Sequence, residues 1–152
     1  IDKNKIAVLG SSAGGHLAAY ASTFTPDAEK PAFSILFYPV ITGETWESHQ
    51  DSFAQLLGKG RSVAEQQYYS LQNRVTPTTP PALILLSDDD AEVPTLSSIL
   101  YYNALKHYGI PAAMHIYPNE GHGWAAKPWC TCWEKAKPVI KDWLEIQRKN
   151  HQ

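Results

Sequence analysis

The chain has 152 residues, of which 43% are hydrophobic and 18% charged, with a formal net charge of -2. That length suffices for one folded unit with a buried core. The near-neutral balance argues against nucleic acid or an anionic membrane surface as a partner, and no apolar run approaches the roughly 20 residues of a membrane span.

Four apolar runs read as strands, and they are continuous rather than alternating, as strands covered on both faces are. The first is Ile6 to Leu9, which runs into Gly10-Ser11-Ser12-Ala13-Gly14 and a small-residue helix predicted over Ala13 to Ser22. Phe33 to Tyr38 is the second strand. Thr42 to Pro81 has weak periodicity and ends in Thr76-Pro77-Thr78-Thr79-Pro80-Pro81. It predicts loop and short helices, one at Ser62 to Tyr69, lying over the C-terminal edge of a sheet. The third strand is Ala82 to Leu86.

A clear helix follows over Thr95 to Tyr108, with Leu96, Ile99, Leu100, Ala104 and Leu105 as its buried stripe. Gly109 closes it and Pro111 forbids continuation. Ala113 to Tyr117 is the fourth strand. The last helix covers about Trp133 to Lys149, with Ala136, Ile140, Trp143, Leu144 and Gln147 along one side. Pro138 either kinks it or marks its first turn. This alternation predicts an α/β fold, a mostly parallel sheet of about four strands with flanking helices, in a single domain over residues 1–152.

Cys130 and Cys132 are one residue apart. A disulfide over that spacing is strained, and two cysteines alone do not make a structural zinc site, so free or buried thiols are expected. The compartment stays open.

A strand, a G-x-S-x-G turn and a helix, in that order, present a serine at a tight bend. Residues two before and two after that serine must be small, and Gly10 and Gly14 meet the need around Ser12. A serine nucleophile requires a base, and the base an orienting acid. The acid candidates lie beyond the third strand, in Ser87-Asp88-Asp89-Asp90-Ala91-Glu92-Val93-Pro94. Three adjacent aspartates repel one another, so one should turn inward while the others stay in water or cap the next helix. The base candidate is His122, flanked by glycines in Asn119-Glu120-Gly121-His122-Gly123-Trp124. His107 and His151 read as solvent-facing, His49 as a loop residue and His115 as a packed or edge histidine. His16, one turn into the first helix, should point away from Ser12.

These residues resemble the α/β-hydrolases, and in particular the esterase group that includes acetyl xylan esterases and bacterial feruloyl-esterase-like proteins. The likeness rests on Ser11-Ser12-Ala13-Gly14-Gly15-His16-Leu17-Ala18, on Tyr69-Ser70-Leu71 with Thr79-Pro80-Pro81, on Ser87-Asp88-Asp89-Asp90, and on His115-Ile116-Tyr117-Pro118 with Gly121-His122-Gly123-Trp124. Aligned with the superfamily pattern G-x-x-D-x-x-V-P, the acid is Asp90, with Asp88 as alternate; Ser87 stands where that pattern has glycine. The resemblance implies hydrolysis of carboxylic esters on plant-wall sugars by a triad of Ser12, Asp90 and His122. The Ala13 N–H would serve in the oxyanion hole, and no metal or organic cofactor is required. Trp124 and Tyr38 are candidates for substrate contact. Trp46 and Trp129 are weaker ones, with packing in loops as their simpler role.

The family's first strands and a glycine-rich oxyanion loop normally precede the elbow strand, where only Ile1 to Lys5 stand here. N-terminal strands are therefore expected to be absent, and with them one oxyanion donor, at a cost on the order of 100- to 1,000-fold in rate. The elbow strand would keep an unpaired apolar edge, which predicts a homo-oligomer through that edge. For a full-length protein, secretion or a periplasmic address stays open. Two other readings remain: a serine peptidase of the prolyl-oligopeptidase type, and a catalytically inactive fragment.

Overall fold

The computed structural model describes residue 2 and residues 5–44, 46 and 48–150; His151 lies outside them. Strands Val8–Ser11 (β1), Ser34–Phe37 (β2), Ala82–Ser87 (β3) and Ala112–Tyr117 (β4) pair in chain order into one sheet, and every pairing is parallel. β2 and β3 are buried throughout, which is why their sequences read as unbroken apolar runs. β1 begins and ends two residues later than Ile6 to Leu9, so the strand continues through Gly10 and Ser11 to the turn itself.

The register aligns Ser11 with Phe37 and Phe37 with Leu85. Because all four strands run the same way, the segments after them emerge at one rim. In open parallel sheets that rim is where ligands bind.

Helices Ala13–Thr23 (α1), Gln50–Leu57 (α2), Val63–Tyr69 (α3), Thr95–His107 (α4) and Cys132–Asn150 (α5) complete the fold. α3 starts where the sequence indicates, with Ser62 and Glu65 forming a reciprocal capping box. α2 was not expected as a distinct element. It buries one residue, Phe53, and is capped by His49, whose Nδ1 accepts the Ser52 N–H at 3.2 Å.

Two predicted helix faces need correction. α4 buries Ser97, Ser98, Tyr101 and Leu105, whereas Leu96, Ile99 and Leu100 are only half-buried. The small serines let the helix lie close to the chain after β2, where Ser97 Oγ accepts the Ile41 N–H at 2.8 Å. On α5 Ala136, Trp143 and Gln147 are buried as expected, together with Cys132, and Ile140 is half-buried; the departure is Leu144, which is exposed. Pro138 lies inside this helix rather than in its first turn.

The expectation of two thiols is also overturned, because Cys130 and Cys132 are joined by a disulfide. Their Cα atoms are 5.3 Å apart, within the span a disulfide bridges. The turn entering α5 brings the two side chains together despite the short spacing.

β1 is an edge strand of this sheet. Leu9 on β1 and Leu17 on α1 are exposed there, as is the preceding Ile6. Among the described residues no helix is long and apolar enough to cross a membrane.

Candidate active site

Ser12 joins β1 to α1 with φ 54° and ψ -123°. A non-glycine residue at positive φ is held there by its surroundings. Its N–H donates to Phe37 O at 3.0 Å, and its carbonyl accepts from Val40 N at 3.1 Å and His16 N at 3.2 Å. The close approach behind the bend falls on Gly10, where a Cβ would sit 2.1 Å from Gly14 O. The expectation for Gly14 is not met, since a Cβ there would meet nothing within 4 Å. The second residue that must be small is Gly15, where a Cβ would lie 2.7 Å from Pro39 Cβ. The constraint comes from helix-to-loop packing, one position beyond the motif.

The rim gathers the three predicted polar groups. Ser12 Oγ lies 2.9 Å from His122 Nε2, and His122 Nδ1 lies 2.7 Å from Asp90 Oδ2. The Asp90 side chain is 1% exposed and that of His122 13%. A carboxylate is acceptor-only, so it fixes the imidazole hydrogen on Nδ1 and leaves Nε2 to accept the serine hydroxyl.

Asp90 is the inward-facing aspartate. Its Oδ1 also accepts the N–H groups of Glu92 and Val93, each at 2.9 Å. Asp88, the alternate, is exposed. Asp89 Oδ1 accepts the Gly121 N–H at 2.9 Å and so ties the acid loop to the histidine loop. Gly121 and Gly123 take φ 64° and 78°, which lets that loop fold back over the rim.

Below His122 the support is aromatic. Tyr38, at φ 35°, packs its ring against the imidazole at a tilt of 59°, with centroids 4.6 Å apart, and its hydroxyl accepts the Ala125 N–H at 3.0 Å. Tyr38 is buried, and burial raises its phenol above the usual range. Trp124 is fully buried against Phe37, Tyr117 and Trp133. Neither residue is open to substrate, so both correct the sequence expectation: they brace the histidine loop. Trp46 and Trp129 are exposed rather than packed into loops.

The other histidines lie apart. His16 Nε2–H donates to Tyr69 O at 3.0 Å, and burial lowers its pKa. His107 is exposed and His115 lies on the edge strand β4. Ala13 is the first residue of α1, where backbone N–H groups have no partner within the helix. Beside it opens a cleft of about 280 Å³ lined by Ala13, His16, Val40, Phe53 and Leu56, among others.

Among the described residues, Glu120, Cys130 and Cys132 bring ligand-type atoms within 4.8 Å of one another. Both sulfurs are committed to the disulfide, so no thiolate is left there to bind a metal.

A hydroxyl hydrogen-bonded to a base that a buried carboxylate orients is the arrangement for nucleophilic acyl transfer. The sequence profile of the prolyl oligopeptidase family matches residues 1–138. The chain belongs to that family. Within the prolyl oligopeptidase family setting, it is 37% identical over 149 residues to an acetylxylan esterase of Xylanibacter ruminicola, covering 95% of this chain and 31% of that protein. It is 34% identical over 134 residues to endo-1,4-β-xylanase B of Butyrivibrio fibrisolvens, covering 81% of this chain and 21% of that one. Among solved structures, the acetyl ester-xyloside bifunctional hydrolase of Caldicellulosiruptor lactoaceticus superposes with a TM-score of 0.83 at 33% identity. That match covers 96% of this chain and 58% of the other. The chain thus spans about a third or less of the curated relatives it matches.

Sequence reasoning missed Glu92, whose Oε2 lies 3.9 Å from His122 Nε2. The signal was present: Asp90 at the start of a tight turn constrains the residue two positions on. The bracing role of Tyr38 was less accessible, since its positive φ depends on the turn after β2.

Proposed function

We propose that this chain hydrolyses carboxylic esters through an acyl-enzyme on Ser12, with acetyl groups on plant-wall carbohydrate as the substrate class. The observation that carries this reading is the line of contacts from Ser12 Oγ through His122 to Asp90, at 2.9 and 2.7 Å. The esterase and xylanase names of the relatives support it.

Ser12 Oγ attacks the ester carbonyl as Nε2 of His122 takes its proton. Asp90 keeps the imidazole in the productive tautomer and stabilises the imidazolium. The Ala13 N–H and the positive end of α1 face the developing oxyanion. Nε2 then returns the proton to the leaving alcohol, and water clears the acyl-serine by the same route. Each proton and bond is handled by these side chains, so the scheme calls for no metal or organic cofactor. The cleft beside Ala13, with apolar walls from Val40, Phe53 and Leu56, suits a short acyl group.

The family match favours one other reading, cleavage of aminoacyl-proline amides. Parallel assays separate the two. Release of acetate from 4-nitrophenyl acetate and acetylated xylo-oligosaccharide, abolished by Ser12→Ala, supports the esterase. Turnover of an aminoacyl-proline amide alone supports the peptidase, and no turnover of either substrate contradicts both.

A further inference from the structure

Glu92 sits on the solvent side of the rim. Its N–H donates to Asp90 Oδ1 at 2.9 Å, so the carboxylate that orients the base also fixes this residue's backbone. From that anchor its side chain, 65% exposed, places Oε2 3.9 Å from His122 Nε2. That distance is too long for a hydrogen bond. Glu92 is therefore not a second orienting acid, and Asp90 already holds the other nitrogen. What Glu92 adds is an anionic acceptor beside the atom that must hand a proton to the leaving group.

We propose that Glu92 is a specificity-determining residue, accepting a hydrogen bond from a free hydroxyl on the carbon next to the scissile ester in the leaving alcohol. This rests on the ester-hydrolase reading above. When the tetrahedral intermediate collapses, the leaving oxygen lies within hydrogen-bond reach of Nε2. A hydroxyl on the adjacent carbon then falls beside that nitrogen, where Oε2 stands. The carboxylate can only accept, so it rewards a donor and gains nothing from an ether or a second ester at the same place. A charge-assisted O–H···O⁻ bond is short and stronger than a neutral one. An anionic substituent there is repelled. The site would thus favour a monoacetylated diol unit over its diacetylated counterpart.

A matched pair of small esters tests this on the full chain: 2-hydroxyethyl acetate and 2-methoxyethyl acetate, which differ in the donor. The expected kcat/KM ratio is on the order of ten in favour of the hydroxyl, a value tempered by the exposure of Glu92. Glu92→Ala should bring the ratio to near one, and Glu92→Gln, which keeps a neutral acceptor, should leave an intermediate ratio. Each ratio is taken within one variant, so partial misfolding cancels. A ratio near one in the unaltered chain, or an unchanged ratio in Glu92→Ala, overturns the inference. So does a preference for acetylcholine as strong as that for the hydroxyl ester and lost in Glu92→Gln, because that would be charge attraction alone. Ser12-dependent hydrolysis of 4-nitrophenyl acetate run alongside tells the two claims apart. Without it the ester-hydrolase reading fails and takes this one with it; with it, only the role of Glu92 is at stake.

Discussion

Asp90 meets His122 with a carboxylate that is almost wholly buried, Oδ2 on Nδ1 at 2.7 Å, while its other oxygen gathers two backbone N–H groups. Three N–H donors thus converge on this carboxylate, and both of its oxygens are committed as acceptors. Asp90→Asn preserves the shape but can reverse the tautomer of His122, and kcat should fall about 10⁴-fold. Asp88→Asn, at an exposed position, should stay within about twofold, as surface changes generally do. Steady-state hydrolysis of an aryl acetate by the two variants checks the assignment, and the opposite ranking would return the acid to Asp88.

Strain at Ser12 should be visible in stability. Glycine is ordinarily about 0.5–1 kcal/mol worse than alanine inside an element. At Ser12, φ 54° reverses that preference. Ser12→Gly should therefore match or exceed Ser12→Ala in stability, by up to about 1 kcal/mol. Urea unfolding of both inactive variants provides the comparison.

The displaced small-residue requirement predicts a contrast between neighbours. Gly15→Ala drives a methyl into Pro39 and should cost about 1–3 kcal/mol, with a loss of activity from the shifted bend. Gly14→Ala enters open space on α1 and should stabilise by up to about 1 kcal/mol. Thermal melts of the two variants should move in opposite directions.

His16 should give a pH signature. Burial lowers its pKa in the folded chain, partly offset by the bond to Tyr69 O. Below its ordinary value of about 6.5 the unfolded chain binds a proton that the folded chain resists, so stability is fully present above that pH and falls as the solution is acidified. Urea midpoints measured at about pH 8 and about pH 5.5 should drop more for the unaltered chain than for His16→Gln. Equal drops would show that His16 is not the group responsible.

Much of this was legible because it is local. The elbow, the glycine-flanked histidine and the continuous strand runs are short patterns with steric causes, and Ser12 and His122 were named from them; among three adjacent aspartates only the resemblance to the superfamily pattern singled out Asp90, with Asp88 as alternate. Other features depend on what lies across space. Trp124 reads as a surface aromatic beside the base, but it fills the gap between β2, β4 and α5. Gly14 matches the motif, yet the crowding falls on Gly15 because Pro39 passes there. The single buried residue of α2, Phe53, gives too little periodicity to announce a helix. The disulfide depends on the turn that starts α5, which two cysteines at that spacing do not specify.

The central claim is that Ser12 is a nucleophile activated by His122. The direct measurement is mass spectrometry after exposure to a serine-directed fluorophosphonate. The account predicts one adduct per chain, on the peptide containing Ser12, and its loss in both Ser12→Ala and His122→Ala. An unlabelled chain, or a label that stays in place when His122 is removed, would contradict it.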